Sequence, residues 1–188
     1  MKKIKFLSLL CALLFSVSQV FATTTNVSYG TDVQMTVTNL NSLANSATAG
    51  WQSARIDNIA SVKALDYEIS VKVDLANTAP ANDKAVYVYI SSAFYDGTSW
   101  FQDDGGTATL PGGSEGTYTI ASPNNLKILG VLAYTTADQI VQGTFLLSNA
   151  VGQYMPDGFQ IIIINYTGAA VAASANVVQY TPITETNA

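Results

Sequence analysis

The chain has 188 residues, of which 48% are hydrophobic, 10% aromatic and 11% charged; the charged share is less than half the roughly 25% of ordinary soluble domains. Thirteen acidic residues against eight basic ones give a net charge of −5, which excludes nucleic-acid binding through a basic face. Histidine is missing altogether, and with it the commonest general base and metal ligand.

Met1-Lys2-Lys3-Ile4-Lys5 is basic, Phe6 to Phe15 is a ten-residue apolar run, and Val20-Phe21-Ala22 precedes a polar Thr23-Thr24-Thr25. That order predicts a secretory signal peptide over residues 1–22, cleaved after Ala22. The run is too short for the roughly 20 apolar residues of a membrane span, so no stable anchor is expected after cleavage. The remaining domain, 23–188, is expected in the periplasm or outside the cell. The single cysteine, Cys11, lies inside the leader, behind Leu9-Leu10 rather than the small residue of a lipidation signal. Without disulfides the exported domain depends on core packing, or on assembly with copies of itself. Cleavage also removes three lysines, leaving five basic residues against thirteen acids and a net charge of −8.

Beyond the leader, Thr23 to Gly30 reads as a polar arm. Val33, Met35 and Val37 alternate with polar residues, as in a half-buried strand. From Leu65 to Leu75, Leu65, Tyr67, Ile69, Val71, Val73 and Leu75 point one way while Asp66, Glu68, Ser70, Lys72 and Asp74 point the other. A helix cannot place that pattern on one face. Asn77 to Asp83 is a loop of turn residues. Lys84 to Ile90 is apolar on both faces, which predicts a central strand. Further strands are expected between Tyr118 and Ile120, over Leu126–Tyr134, and over Gln139–Leu147 with a bulge at Gly143. Ser148 to Met155 allows one irregular helical turn. Phe159 to Tyr166 reads as a buried strand, Val177 to Tyr180 as a closing strand, and Pro182 to Ala188 as a polar tail. Many short strands with Gly, Pro and Asn between them predict an all-β fold: a single antiparallel, jelly-roll-like β-sandwich of eight to nine strands.

Chemistry-bearing residues are sparse. The segment from Asp96 to Gly106 brings Asp96, Asp103 and Asp104 onto a Gly-rich loop that could offer oxygen ligands to Ca2+; turn formation in water explains the same residues, and no other cofactor is expected. Phe94, Tyr95, Trp100 and Phe101 bracket that loop. Such rings stack on sugars, seal the end of a sandwich, or lie in a subunit interface. No base exists to activate a serine. A paired-carboxylate hydrolase would need two of Asp57, Asp66, Glu68, Asp96, Asp103 and Asp104 in one cleft, whereas Asp66 and Glu68 fall on the polar face of a strong strand. The expectation is a protein that is not an enzyme. Asn26-Val27-Ser28 and Asn165-Tyr166-Thr167 fit the glycosylation pattern, the second at the end of a buried strand.

Several segments carry a resemblance as an ordered set. They are Ser42-Leu43-Ala44-Asn45, Trp51 to Asn58 (WQSARIDN), Ala64 to Tyr67, Ala85 to Tyr89 (AVYVY), Ser122 to Gly130 (SPNNLKILG) and Phe145 to Gly168. Together, from about Leu40 to Tyr180, the chain resembles a family of small structural proteins of tailed-phage virions. The resemblance implies a non-enzymatic β-sandwich subunit present in many copies, as capsid decoration or tail component, with copies of itself and other virion proteins as partners. It supplies no catalytic residues. A signal peptide departs from that family's pattern, which brings in a secreted surface layer or filament subunit. A binding module that recognises a glycan or a cell surface through residues 94–104 is the alternative.

Overall fold

The computed structural model describes residues 25–81, 83–102, 114–120 and 125–187; the leader, Asp103 and Asp104 lie outside them. Residues 29–184 form one compact unit, and the chain ends, of which 25–28 and 185–187 are described, form a second, small one. In chain order the strands are β1 (Thr25–Tyr29), β2 (Val33–Gln34), β3 (Ala49–Gln52), β4 (Ile56–Asp57), β5 (Asp66–Asp74) and β6 (Ala85–Tyr95). They continue with β7 (Trp100–Gln102), β8 (Gly116–Thr119), β9 (Lys127–Ala133), β10 (Ile140–Leu146), β11 (Gly158–Asn165) and β12 (Val177–Asn187), with one short helix, α1 (Ser148–Val151).

These strands make two packed antiparallel sheets, so the all-β, sandwich-like expectation holds. The smaller sheet runs β12-β5-β10, with β2 also on β12. The larger runs β7-β6-β11-β3-β8, with β9 beside β6 and β4 beside β11. Twelve strands among the described residues exceed the eight to nine expected, because β1, β3, β4 and β7 are two to five residues long and too short to show a period.

β5 alternates as its sequence requires. Tyr67, Ile69, Val71 and Val73 are buried, and Asp66, Glu68, Ser70, Lys72 and Asp74 are half-buried on the other face. Leu65, expected inward with them, precedes the strand and is 49% exposed. Val33 is likewise exposed, because β2 covers two residues only. Between the sheets the β5 row meets Val86, Val88 and Ile90 of β6, Phe159, Ile161 and Ile163 of β11, and Trp51 of β3. Burying side chains of this size contributes roughly 1.5–3 kcal/mol each.

β6 is central, as its two apolar faces predict: β11 pairs with it on one side, β9 and β7 on the other. All eight residues of β11 are buried. Their odd members face the smaller sheet, while Ile162 and Ile164 enter a second cluster on the opposite face with Tyr118, Tyr89 and Tyr166.

The bulge expected at Gly143 is not there, since β10 keeps an unbroken register with β5. It lies between β6 and β9, where Val88 pairs with Gly130 but Tyr89 with Ile128, leaving Leu129 as the extra residue. Gly143 has a packing role instead: a Cβ there would come within 2.6 Å of Phe145 Cζ, and one at Gly130 would also meet that ring. The Pro182–Ala188 segment, expected as a loose tail, is strand as far as Asn187, and the expected arm is strand β1. In the small unit Thr186 Oγ1 donates to Asn26 O at 3.3 Å.

The second glycosylation pattern is a buried structural knot. Asn165 Nδ2 donates to Leu43 O (3.1 Å) and Ala169 O (2.8 Å), and its Oδ1 accepts from Thr167 N (3.0 Å) and Thr167 Oγ1 (2.7 Å). No group is left free for a sugar.

Candidate functional site

The four aromatic residues singled out in the sequence come together, on strands rather than on a loop. β6 continues through Ser91-Ser92 to Tyr95, and β7 returns from Trp100, so the turn between them is only Asp96-Gly97-Thr98-Ser99. Phe94 pairs with Phe101 and Tyr95 with Trp100, which places the two pairs on opposite faces of the hairpin.

Ser91 and Ser92 conceal this continuation of the strand in the sequence. Gln102 Nε2 donates to Ser91 Oγ (3.2 Å) and to Gln160 Oε1 (2.6 Å), and Gln160 Nε2 donates to Ser53 O (2.8 Å). Ser91, Gln160 and Ser53 are all fully buried. A polar rung that satisfies itself crosses β7, β6 and β11 to the end of β3, as buried polar groups must.

Phe94 and Phe101 stack with ring centroids 4.9 Å apart and planes 16° apart, yet remain 56% and 45% exposed. With Ser92, Met155, Pro156 and Asp157 they line an open groove of about 240 Å³. Trp100 is committed on its own side: its ring lies 5.0 Å from that of Tyr95, the Arg55 guanidinium sits 3.9 Å from its centroid, and its edge rests on Gly158, where a Cβ would come within 2.6 Å. Arg55 Nε and Nη2 in turn donate to the two Asp57 oxygens. Nothing in the sequence pattern connected Arg55 with Trp100, 45 positions away.

Asp96 turns the hairpin. Its Oδ1 accepts from Thr98 N (2.8 Å) and Ser99 N (2.7 Å), and the Ser99 and Thr98 N–H groups hold this exposed carboxyl below the usual carboxylate range. Gly97 takes φ +100°, open to glycine at little cost. Tyr95 OH closes the turn onto Gly97 O at 2.8 Å. At the groove rim Asp157 accepts from Lys63 Nζ (3.0 Å) and Tyr95 N (3.2 Å). The Lys63 hydrogen bond, followed by the Tyr95 N–H, lowers its pKa.

Asp103 and Asp104, named with Asp96 for calcium, lie outside the described residues. Among the described residues no three Asp, Glu, His or Cys side chains gather as metal ligands. The described carboxylates weighed for hydrolysis fall on three elements, with only Asp66 and Glu68 sharing one: Asp57 on β4, Asp66 and Glu68 on β5, Asp96 at the hairpin tip. Asp57 is paired with Arg55, and Asp66 Oδ1 accepts from Ser148 N (3.0 Å) at the start of α1. No helix among the described residues is long and apolar enough to cross a membrane. What the hairpin offers chemically is flat aromatic surface beside a groove, suited to a sugar ring or another protein. No family model and no curated protein sequence matches the chain.

Proposed function

We propose that the chain is an exported, non-enzymatic structural subunit, present in many copies in a virion, as capsid decoration or tail component, or in a related extracellular assembly. The observation that carries this reading is the apolar outer face of the larger sheet. Above the covered Ile162 and Ile164, Ile128 is 52% and Val131 45% exposed there, paired with the half-buried Tyr89 and Tyr87. Contiguous apolar surface on the outside of a charge-poor chain marks an interaction site. The ordered resemblance to virion proteins, the secretory leader and the missing histidine agree with it. The test is electron microscopy of purified extracellular particles, with N-terminal mass spectrometry of the chain in the same fraction. Many ordered copies beginning at Thr23 are expected; a free monomer in the medium overturns the reading.

A second reading rests on the exposed Phe94–Phe101 stack: recognition of a glycan or cell surface at the hairpin. It expects Phe94→Ala to abolish glycan retention, on an array or in affinity electrophoresis, with a melting temperature close to that of the parent. Retention unchanged in Phe94→Ala and Phe101→Ala rules this site out.

A further inference from the structure

The outer faces of the two sheets differ in a way that selects a partner. We propose that a second copy of this chain docks on the outer face of the larger sheet, centred on Tyr87, Tyr89, Ile128 and Val131, in an isologous contact. This rests on the assembly reading above and names the surface that serves it.

The rungs are explicit. Val131 of β9, Tyr87 of β6 and Ile164 of β11 lie side by side, as do Ile128, Tyr89 and Ile162. Tyr87 stacks on Tyr89 with centroids 6.2 Å apart and meets the Tyr166 ring edge-on at 5.6 Å. These six rung positions carry no charge. Tyrosine is enriched where one end of a ring is buried and the hydroxyl needs a polar partner, as at protein interfaces.

Electrostatics decides between the faces. The chain carries a net charge of −5, and −8 without its leader, so two copies repel except where carboxylates are absent. The outer face of the smaller sheet presents three acids, Asp66, Glu68 and Asp74, and one lysine, Lys72, along β5; stacking two such net-negative faces would disfavour the contact. On the larger sheet's face the patch of Tyr87, Tyr89, Ile128 and Val131 brings only apolar and phenolic groups together, and Asp57 of β4, beside Gly158 on that face, is paired with Arg55. Two sheet faces also pack directly at about 10 Å, and a two-fold contact closes on itself.

The experiment measures the molar mass of the secreted chain by light scattering and sedimentation, for the parent, for Ile128→Lys/Val131→Lys, and for the control Ile140→Lys on the smaller sheet. The double variant is expected to raise the dissociation constant at least tenfold, with an unchanged melting temperature, because both residues are already exposed; Ile140→Lys is expected to assemble as the parent does. Val131→Cys supplies an independent readout, because the chain beyond the leader has no other cysteine: a bis-maleimide is expected to link its copies and not those of Ile140→Cys. If the parent assembles but ignores the lysines and Val131→Cys does not cross-link, this face is wrong while the assembly reading stands. If the parent is monomeric at every concentration, both fall.

Discussion

β5 and β11 are the middle strands of their sheets, yet one has a single buried face and the other has two. β5 alternates buried and half-buried residues along its length, so the smaller sheet adds one layer to the core and turns its other side to water. β11 is buried at every position, so the larger sheet separates two apolar layers. The sequence difference is plain: DYEISVKVD interleaves charge with hydrophobes, whereas GFQIIIIN has nothing polar after Gln160 until Asn165. A strand of the second kind belongs in a sheet that is covered on both sides.

The largest effect on that contrast is expected from alkali. Tyr67 on β5 lies in the layer between the sheets, where burial first, then Tyr180 and Asp57, push its phenol up to about 12; burial, helped by Asp74, pushes Tyr134 up as well. A folded-state pKa above the unfolded value near 10 stabilises the neutral form. The associated stability is complete below about pH 10 and is lost as pH rises through about 12. Unfolding followed by near-ultraviolet absorbance should therefore coincide with ionisation of these phenols. A fold that survives with both titrated breaks the assignment. No histidine titrates between pH 5 and 8, so stability should be level across that range.

Next in size are truncations on either side of β11. Ile163→Ala, in the layer between the sheets, and Ile164→Ala, in the outer layer, should each cost about 2–5 kcal/mol in denaturant melts. Ser70→Ala on the outer face of β5 should change stability by no more than about 0.5 kcal/mol. An Ile164→Ala loss as small as that of Ser70→Ala would remove the second layer.

A smaller effect separates the two glycine readings. Gly143→Ala should cost about 1–3 kcal/mol by driving a methyl into the Phe145 ring, and Phe145→Leu in the same chain should recover part of it. If Gly143 were a bulge, the second change would recover nothing. Trp100→Ala should lose about 0.5–1 kcal/mol of Arg55 stacking plus its partial burial, well short of the 3–5 kcal/mol of a core tryptophan.

The sequence is most legible where one force acts alone. The six alternations from Leu65 to Leu75 reveal β5, and the two apolar faces of Lys84–Ile90 reveal the centre of the larger sheet. It fails at Ser91-Ser92, because a buried serine that bonds across strands, as Ser91 does, looks identical to a serine in a loop. The same ambiguity hides that Phe94 and Tyr95 belong to the strand. Leu65 shows the opposite failure: the period is right, but the strand starts one residue later, and hydrophobicity does not mark that boundary. The aromatic cluster was legible as composition. Its division into an exposed Phe pair and a Trp anchored by Arg55 was not, since that depends on contacts between distant segments.

In the small unit β1 pairs with the far end of β12, so the two described ends of the chain are neighbours. With the Asn26 carbonyl accepting from Thr186 Oγ1, the place at which the chain is opened matters less than the order of its strands. A circular permutant opened between Gly97 and Thr98, its old ends joined by a short glycine bridge, would keep every strand pairing described above.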